Sequence, residues 1–173
     1  MPGQSLVINT PFRVKIPASF SRLGHVKQAY QITQWYPKPA VYDAAGWHPM
    51  PYLDQGEFYS EFGSYDVSIT LPKNYILGAT GDCQTPSEVM FMNEEAAKAS
   101  QKIAEITGKT GDLNEFPASS KEWKTVRYTQ SRVHDFGWFA DKRWIVLKGN
   151  VETPANKNQV TTWALFTPES AKL

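Results

Sequence analysis

The chain has 173 residues, 18 Lys and Arg against 17 Asp and Glu for a formal net charge of +1 at pH 7, and a 41% hydrophobic, 13% aromatic composition. That balance excludes a disordered chain and the electrostatic footprint of a nucleic-acid binder, and the length suits one domain with a sizeable core. The lone Cys83 excludes an intrachain disulfide and a multi-cysteine metal site.

The first predicted element is a strand from Leu6 to Ile16, where Phe12, Val14 and Ile16 alternate with Arg13 and Lys15 before Pro17 closes it. A second extended segment runs from Gln28 to Trp35 and ends where Pro37 and Pro39 bias their predecessors away from helix. Beyond Pro37 the pattern reads mostly as loop: Asp43-Ala44-Ala45-Gly46 has turn chemistry, and Pro49 and Pro51 oppose regular pairing. Tyr65, Val67, Ile69 and Leu71 mark a half-buried strand closed by Pro72-Lys73-Asn74, and Tyr75 to Ala79 starts the next.

Asn93 to Thr107 reads as a single surface helix, with Asn93 as cap, Glu94 and Glu95 in the first turn and Gly108 past the end. Its thin apolar stripe of Ala96, Ala99, Ile103 and Ile106 predicts packing on the outside of a sheet. Residues 109–121 form a polar connector, and strands follow over Trp123 to Gln130, Trp144 to Lys148 and Val160 to Phe166. The expected fold is all-β to β-rich, an antiparallel sandwich or saddle-like sheet in a single domain over residues 1–173.

Asp54, Glu57, Glu61 and Asp66 raise a glycosidase reading, since paired carboxylates can serve as acid and base, but facing acids of this kind are usually solvated or salt-bridged. His48 and the His134-Asp135 pair are the places a metal could start, yet His25, His48 and His134 are far apart and show no HExxH spacing. Catalytic and metal residues are therefore expected to be none. The Trp and Tyr residues could stack on sugar rings. Trp35, Tyr36, Trp47 and Tyr52 nevertheless lie among prolines and glycines, where rings clamp irregular loops onto a sheet, and the discriminator is their exposure. Cys83 reads as a buried small hydrophobe.

The aromatic, proline-punctuated stretch from Tyr30 to Pro72, including Thr33-Gln34-Trp35-Tyr36-Pro37, resembles the amino-terminal β-domain of zinc metallopeptidases of the aminopeptidase N type. The resemblance continues through His134-Asp135-Phe136-Gly137-Trp138-Phe139-Ala140-Asp141-Lys142 and Thr161-Thr162-Trp163-Ala164-Leu165-Phe166-Thr167-Pro168-Glu169-Ser170-Ala171, and so spans most of the chain. It implies the later part of that domain, a fragment lacking the catalytic domain, with earlier strands missing and a sheet edge open to self-association. It further implies that zinc and the peptide substrate belong to an HExxH catalytic domain of the same polypeptide, which this domain braces and whose cleft it walls. In such enzymes the β-domain supplies a polar side chain to the substrate amine, and Gln28, Gln31 and Gln34 are the candidates here. The alternative is a free-standing carbohydrate- or peptide-binding β-sandwich module. No apolar run approaches the roughly 18 residues that span a bilayer. Met1-Pro2-Gly3-Gln4 lacks the features of a signal peptide, so an exported parent, periplasmic or extracellular, is implied by the resemblance alone.

Overall fold

The computed structural model describes residues 3–19, 21–51, 53, 58–107, 113 and 115–172. It is β-rich, and every pair of named strands is antiparallel. One sheet takes the order β1-β2-β9-β6, from Gly24–Val26, Ala29–Ile32, Trp138–Asp141 and Ile76–Ala79. A second takes the order β5-β8-β7, from Gly63–Pro72, Trp123–Val133 and Asp82–Cys83. Two hairpins complete the strands, β3–β4 over Val41–Asp43 and Gly46–His48, and β10–β11 over Ile145–Glu152 and Gln159–Phe166.

The alternation along β5 and β8 sends Ile69, Leu71, Val126 and Tyr128 to one face, where they meet Leu77 of β6, Ala140 of β9, Tyr75 and Phe136. This is the main core, built between two sheets, each of which has one apolar face to bury. Phe136 is fully buried at its centre. A second core forms where helix packs on hairpin: Met92 meets Ile76 and Val146, while Ala99 and Ile106 meet Ile145.

The helical region corrects the expectation. Two helices stand where one was predicted, α1 at Pro86–Ala97 and α2 at Ala99–Thr107, broken at Lys98. Asn93 is not a cap but lies inside α1, donating its side-chain amide to Val89 O at 2.8 Å. The actual start is Thr85-Pro86, with proline in the first turn, where its missing N–H costs nothing, and Glu88 beside it. Glu88 fixes the helix to the sheet: both its carboxylate oxygens accept from Lys124 Nζ on β8 at 2.7 Å, and the same ammonium lies 4.2 Å from the centre of the Phe91 ring. Burial raises the Glu88 carboxyl above its ordinary value and lowers the Lys124 ammonium, each opposed by the other's hydrogen bond and charge.

The strand expected from Leu6 to Ile16 is also absent. Residues 4–16 have no regular structure, and Leu6 is 82% exposed, with Val7 and Ile8 similarly open. Alternation marks which side chains share a face; it does not provide the neighbouring strand whose hydrogen bonds define the element. Gly108, capping the helix in the prediction, and residues 109–112 and 114 of the 109–121 connector lie outside the described residues.

Candidate functional site

The chain between Thr33 and Phe62 builds an aromatic surface on a polar support. Trp35 is half-buried, donates Nε1–H to Phe136 O at 3.1 Å, and packs edge-on against Tyr36 at 5.3 Å. The Tyr36 hydroxyl is the donor to both of its neighbours, its one proton shared between the Tyr65 hydroxyl oxygen at 2.8 Å and Asp135 Oδ1 at 3.0 Å. Burial first, then the hydrogen bond to Tyr65 and the charge of Asp135, hold the Tyr36 phenol well above the usual tyrosine value. Trp35 and Tyr36 are both half-buried and tie the loop to the turn between β8 and β9.

Lys38 continues this network outward. Its Nζ is 3.0 Å from Asp135 Oδ1 and lies 5.5 Å and 5.9 Å from the centres of the Tyr36 and Phe58 rings. It forms one wall of a pocket of about 450 Å³, completed by Pro39, His48, Met50, Phe58 and Tyr59. The pocket exists because residues read as loop in fact form the β3–β4 hairpin. Asp43 Oδ1 accepts from Ala45 N–H at 2.8 Å, the local bond that turns the chain, and Gly46 takes a φ of 105°, open chiefly to glycine. The same Asp43 oxygen lies 2.8 Å from His48 Nε2, and His48 packs edge-on against Tyr59 at 5.3 Å. The hydrogen bond from His48, then that from Ala45, holds the Asp43 carboxyl below its ordinary value.

The hairpin overturns the clamp reading at Trp47. That ring is 68% exposed and pairs across the hairpin with Tyr42, 66% exposed, at 4.9 Å with 55° between the planes. In so short a two-stranded ribbon Trp47 stands directly opposite Tyr42, and among the described residues no second sheet covers the pair. Met50, Leu53, Tyr59 and Phe62 are exposed as well. Tyr52, the fourth expected clamp, lies outside the described residues, as do Asp54 and Glu57.

The remaining candidates separate. Glu61 and Asp66 are exposed, and Asp66 is held by the Arg127 guanidinium at 2.6 Å and 2.7 Å. His134 is exposed and stacks edge-on against Phe62 at 5.2 Å, while its neighbour Asp135 serves the Tyr36 network. Among the described residues no three His, Cys, Asp or Glu side chains group as a metal site would require. Cys83 is half-buried, not fully buried, and lines a cleft of about 610 Å³ between β6, β7, α1 and β11.

The three glutamines also part. Gln28 Oε1 accepts from the buried Lys142 Nζ, which donates as well to Pro117 O and Ser119 Oγ. Gln31 Nε2 donates to Ser19 Oγ and to Ser21 O. Gln34 sits at φ 53°, rare for a residue with a side chain, and its Oε1 is buried with no hydrogen-bond partner among the described residues. Sequence spacing alone could not tell the three apart; strain and an unsatisfied acceptor do.

Comparison with protein-family models, with curated proteins and with solved structures returned no match in any of the three. Among the described residues no helix is long and apolar enough to cross a membrane.

Proposed function

We propose that this chain is the noncatalytic amino-terminal β-domain of a zinc metallopeptidase of the aminopeptidase N type, bracing the catalytic domain and walling its substrate cleft. The residues of Tyr30 to Pro72 and of His134 to Lys142 support the family; the observation that carries the role is the outward aromatic surface from Tyr42 to Phe62. Tyr42, Trp47, Met50, Leu53, Tyr59 and Phe62 are all exposed within one stretch, and clustered apolar exposure of this kind marks a surface that another body covers. Zinc, the peptide substrate and the bond-breaking chemistry then belong to the catalytic domain. The chain contributes shape, apolar contact and one polar side chain. Of the three glutamines we favour Gln34 for the substrate amine, because its side-chain oxygen has no hydrogen-bond partner among the described residues, whereas the Gln28 oxygen is taken by Lys142 and the Gln31 side chain is held by its NH2 group on Ser19 and Ser21. Its oxygen is turned inward, so receiving an ammonium requires the side chain to rotate out.

Reading the natural gene beyond Leu173 tests the family: an HExxH segment in frame supports it, and a stop codon at that point overturns it. The noncatalytic role has its own test. The purified chain is expected to leave aminoacyl reporter substrates intact and to bind no stoichiometric zinc, whereas turnover abolished by a chelator would contradict it.

A free-standing carbohydrate- or peptide-binding module is the second reading, favoured by the exposure of Tyr42 and Trp47. The 55° between their planes does not provide the flat platform on which a pyranose stacks. Oligosaccharide binding that disappears with Trp47→Ala would reverse the preference.

A further inference from the structure

Among the described residues no strand pairs with the outer edge of β5, and the backbone directions along it can be deduced. On β8, Arg127 N–H donates to Thr85 Oγ1 at 2.9 Å and Arg127 O accepts from Gln84 N–H at 2.8 Å, so both its backbone groups face away from β5. Thr129 O also points that way, since a Cβ on Gly81 would come within 2.4 Å of it. In an antiparallel ladder the N–H and C=O of one residue point to the same side and alternate along the strand. Tyr128 and Val126 therefore bond to Val67 and Ile69 opposite them, while Asp66, Ser68 and Thr70, opposite Thr129, Arg127 and Thr125, turn their N–H and C=O to the free edge. Among the described residues no backbone hydrogen bond from another segment reaches these groups.

The usual protections of such an edge are missing. From Tyr65 to Leu71 there is no proline and no lysine, and the single irregularity lies at the far end, between Gly63 and Tyr65. The one charge, Asp66, is already neutralised by Arg127. By contrast β6 and β7, which end their sheets, are four and two residues long.

We propose that two copies of this chain join along the edge, β5 against β5 antiparallel about a twofold axis at Ser68, merging the two three-stranded sheets into one. In that register Ser68 pairs with Ser68 of the second copy and Asp66 with its Thr70, each pair exchanging both N–H···O bonds, so all the outward groups are satisfied. On the inner face Val67 meets Ile69 of the second copy and Tyr65 meets its Leu71, apolar against apolar. The two aspartates never stand opposite each other. This self-complementarity favours a second copy over an unrelated strand.

Sedimentation of the full chain across a concentration series is expected to show a monomer–dimer equilibrium. Ser68→Pro removes an outward N–H that β8 does not use, so it should weaken association by about tenfold or more while leaving the unfolding midpoint in place at dilutions where both chains are monomeric. In a Cys83→Ala background, Ser68→Cys should form an intermolecular disulfide on oxidation, because Cα atoms in such a pair lie about 5.5 Å apart. Thr70→Cys should cross-link when mixed with Asp66→Cys and not by itself. A chain that stays monomeric at every concentration overturns the proposal. So does a dimer indifferent to Ser68→Pro, or one whose cysteines link only outside this register; if Ser68→Pro fails to fold, the cysteine pairs decide.

Discussion

The two-sheet core and the aromatic hairpin surface are made from similar residues with opposite fates. Along β5 and β8 the apolar side chains recur at every second position, and the facing sheet buries them together with Phe136. Along β3 and β4 the same alternation operates, but among the described residues no sheet faces the outer side, so Val41 goes inward while Tyr42 and Trp47 point to solvent. Alternation sorts side chains between two faces; the layer that arrives on one face decides which become core. The contrast separates stability from recognition, with the core setting the first and the hairpin available for the second.

The sharpest way to break the comparison is to remove its most buried ring. Phe136→Ala is expected to cost about 3–5 kcal/mol in denaturant unfolding, because the ring is fully buried in the core cluster that both sheets share and its removal leaves a cavity there. A change below about 1 kcal/mol would mean the two sheets do not pack as described. Lys124→Ala should have an effect of similar size, about 3–5 kcal/mol at neutral pH, because it strands the buried Glu88 carboxylate. Adding Glu88→Gln to Lys124→Ala should recover part of that loss. An additive double mutant would show that the two groups do not interact.

Trp35 lies between the regions, half-buried, with its indole N–H held by Phe136 O. Trp35→Ala should therefore cost less than a fully enclosed ring, about 2 kcal/mol. Its neighbour gives a pH test. The folded-state pKa of Tyr36 is raised above its ordinary value of 10.0, chiefly by burial, so the stability it contributes is fully present below pH 10 and is lost as pH rises toward the folded value. Alkaline unfolding titrations should thus steepen above pH 10 for the native chain and less so for Tyr36→Phe. Identical slopes would remove Tyr36 from the linkage.

Much of this fold was legible in the sequence because the core strands obey a local rule. β5, β8, β10 and β11 lie close to where alternation and prolines put them. The errors arise where the deciding partner is remote. Leu6 to Ile16 alternates as a strand does, yet no strand pairs with it among the described residues. The β3–β4 hairpin was hidden by Pro49 and Pro51, although Asp43 to Gly46 already carried its turn signal. Asn93 looked like a cap because it precedes two glutamates, whereas Thr85-Pro86-Ser87-Glu88 is the stronger start once proline's place in a first turn is weighed. For the site, three glutamines in seven residues were indistinguishable until Lys142, Ser19 and Ser21 claimed two of them, a long-range fact for Gln28 and Lys142 that spacing does not contain.

The smallest expected effect on stability falls on the hairpin, and there it is the most informative. Trp47 touches Tyr42 and solvent, so Trp47→Ala should change the unfolding free energy by no more than about 0.5 kcal/mol, as exposed substitutions usually do. If the outward rings exist to meet another body, the same substitution should act strongly on that meeting, because large aromatic side chains near the centre of an interface account for 2 kcal/mol or more, to order of magnitude. The proposed partner is the catalytic domain. Supplied as a separate chain, it should quench or shift the Trp47 fluorescence of this domain on binding, and Trp47→Ala should weaken that binding by roughly 30-fold, the equivalent of about 2 kcal/mol. A Trp47→Ala chain that unfolds early would instead show the ring to be structural, extending the core's rule to the hairpin and removing the contrast between the two regions.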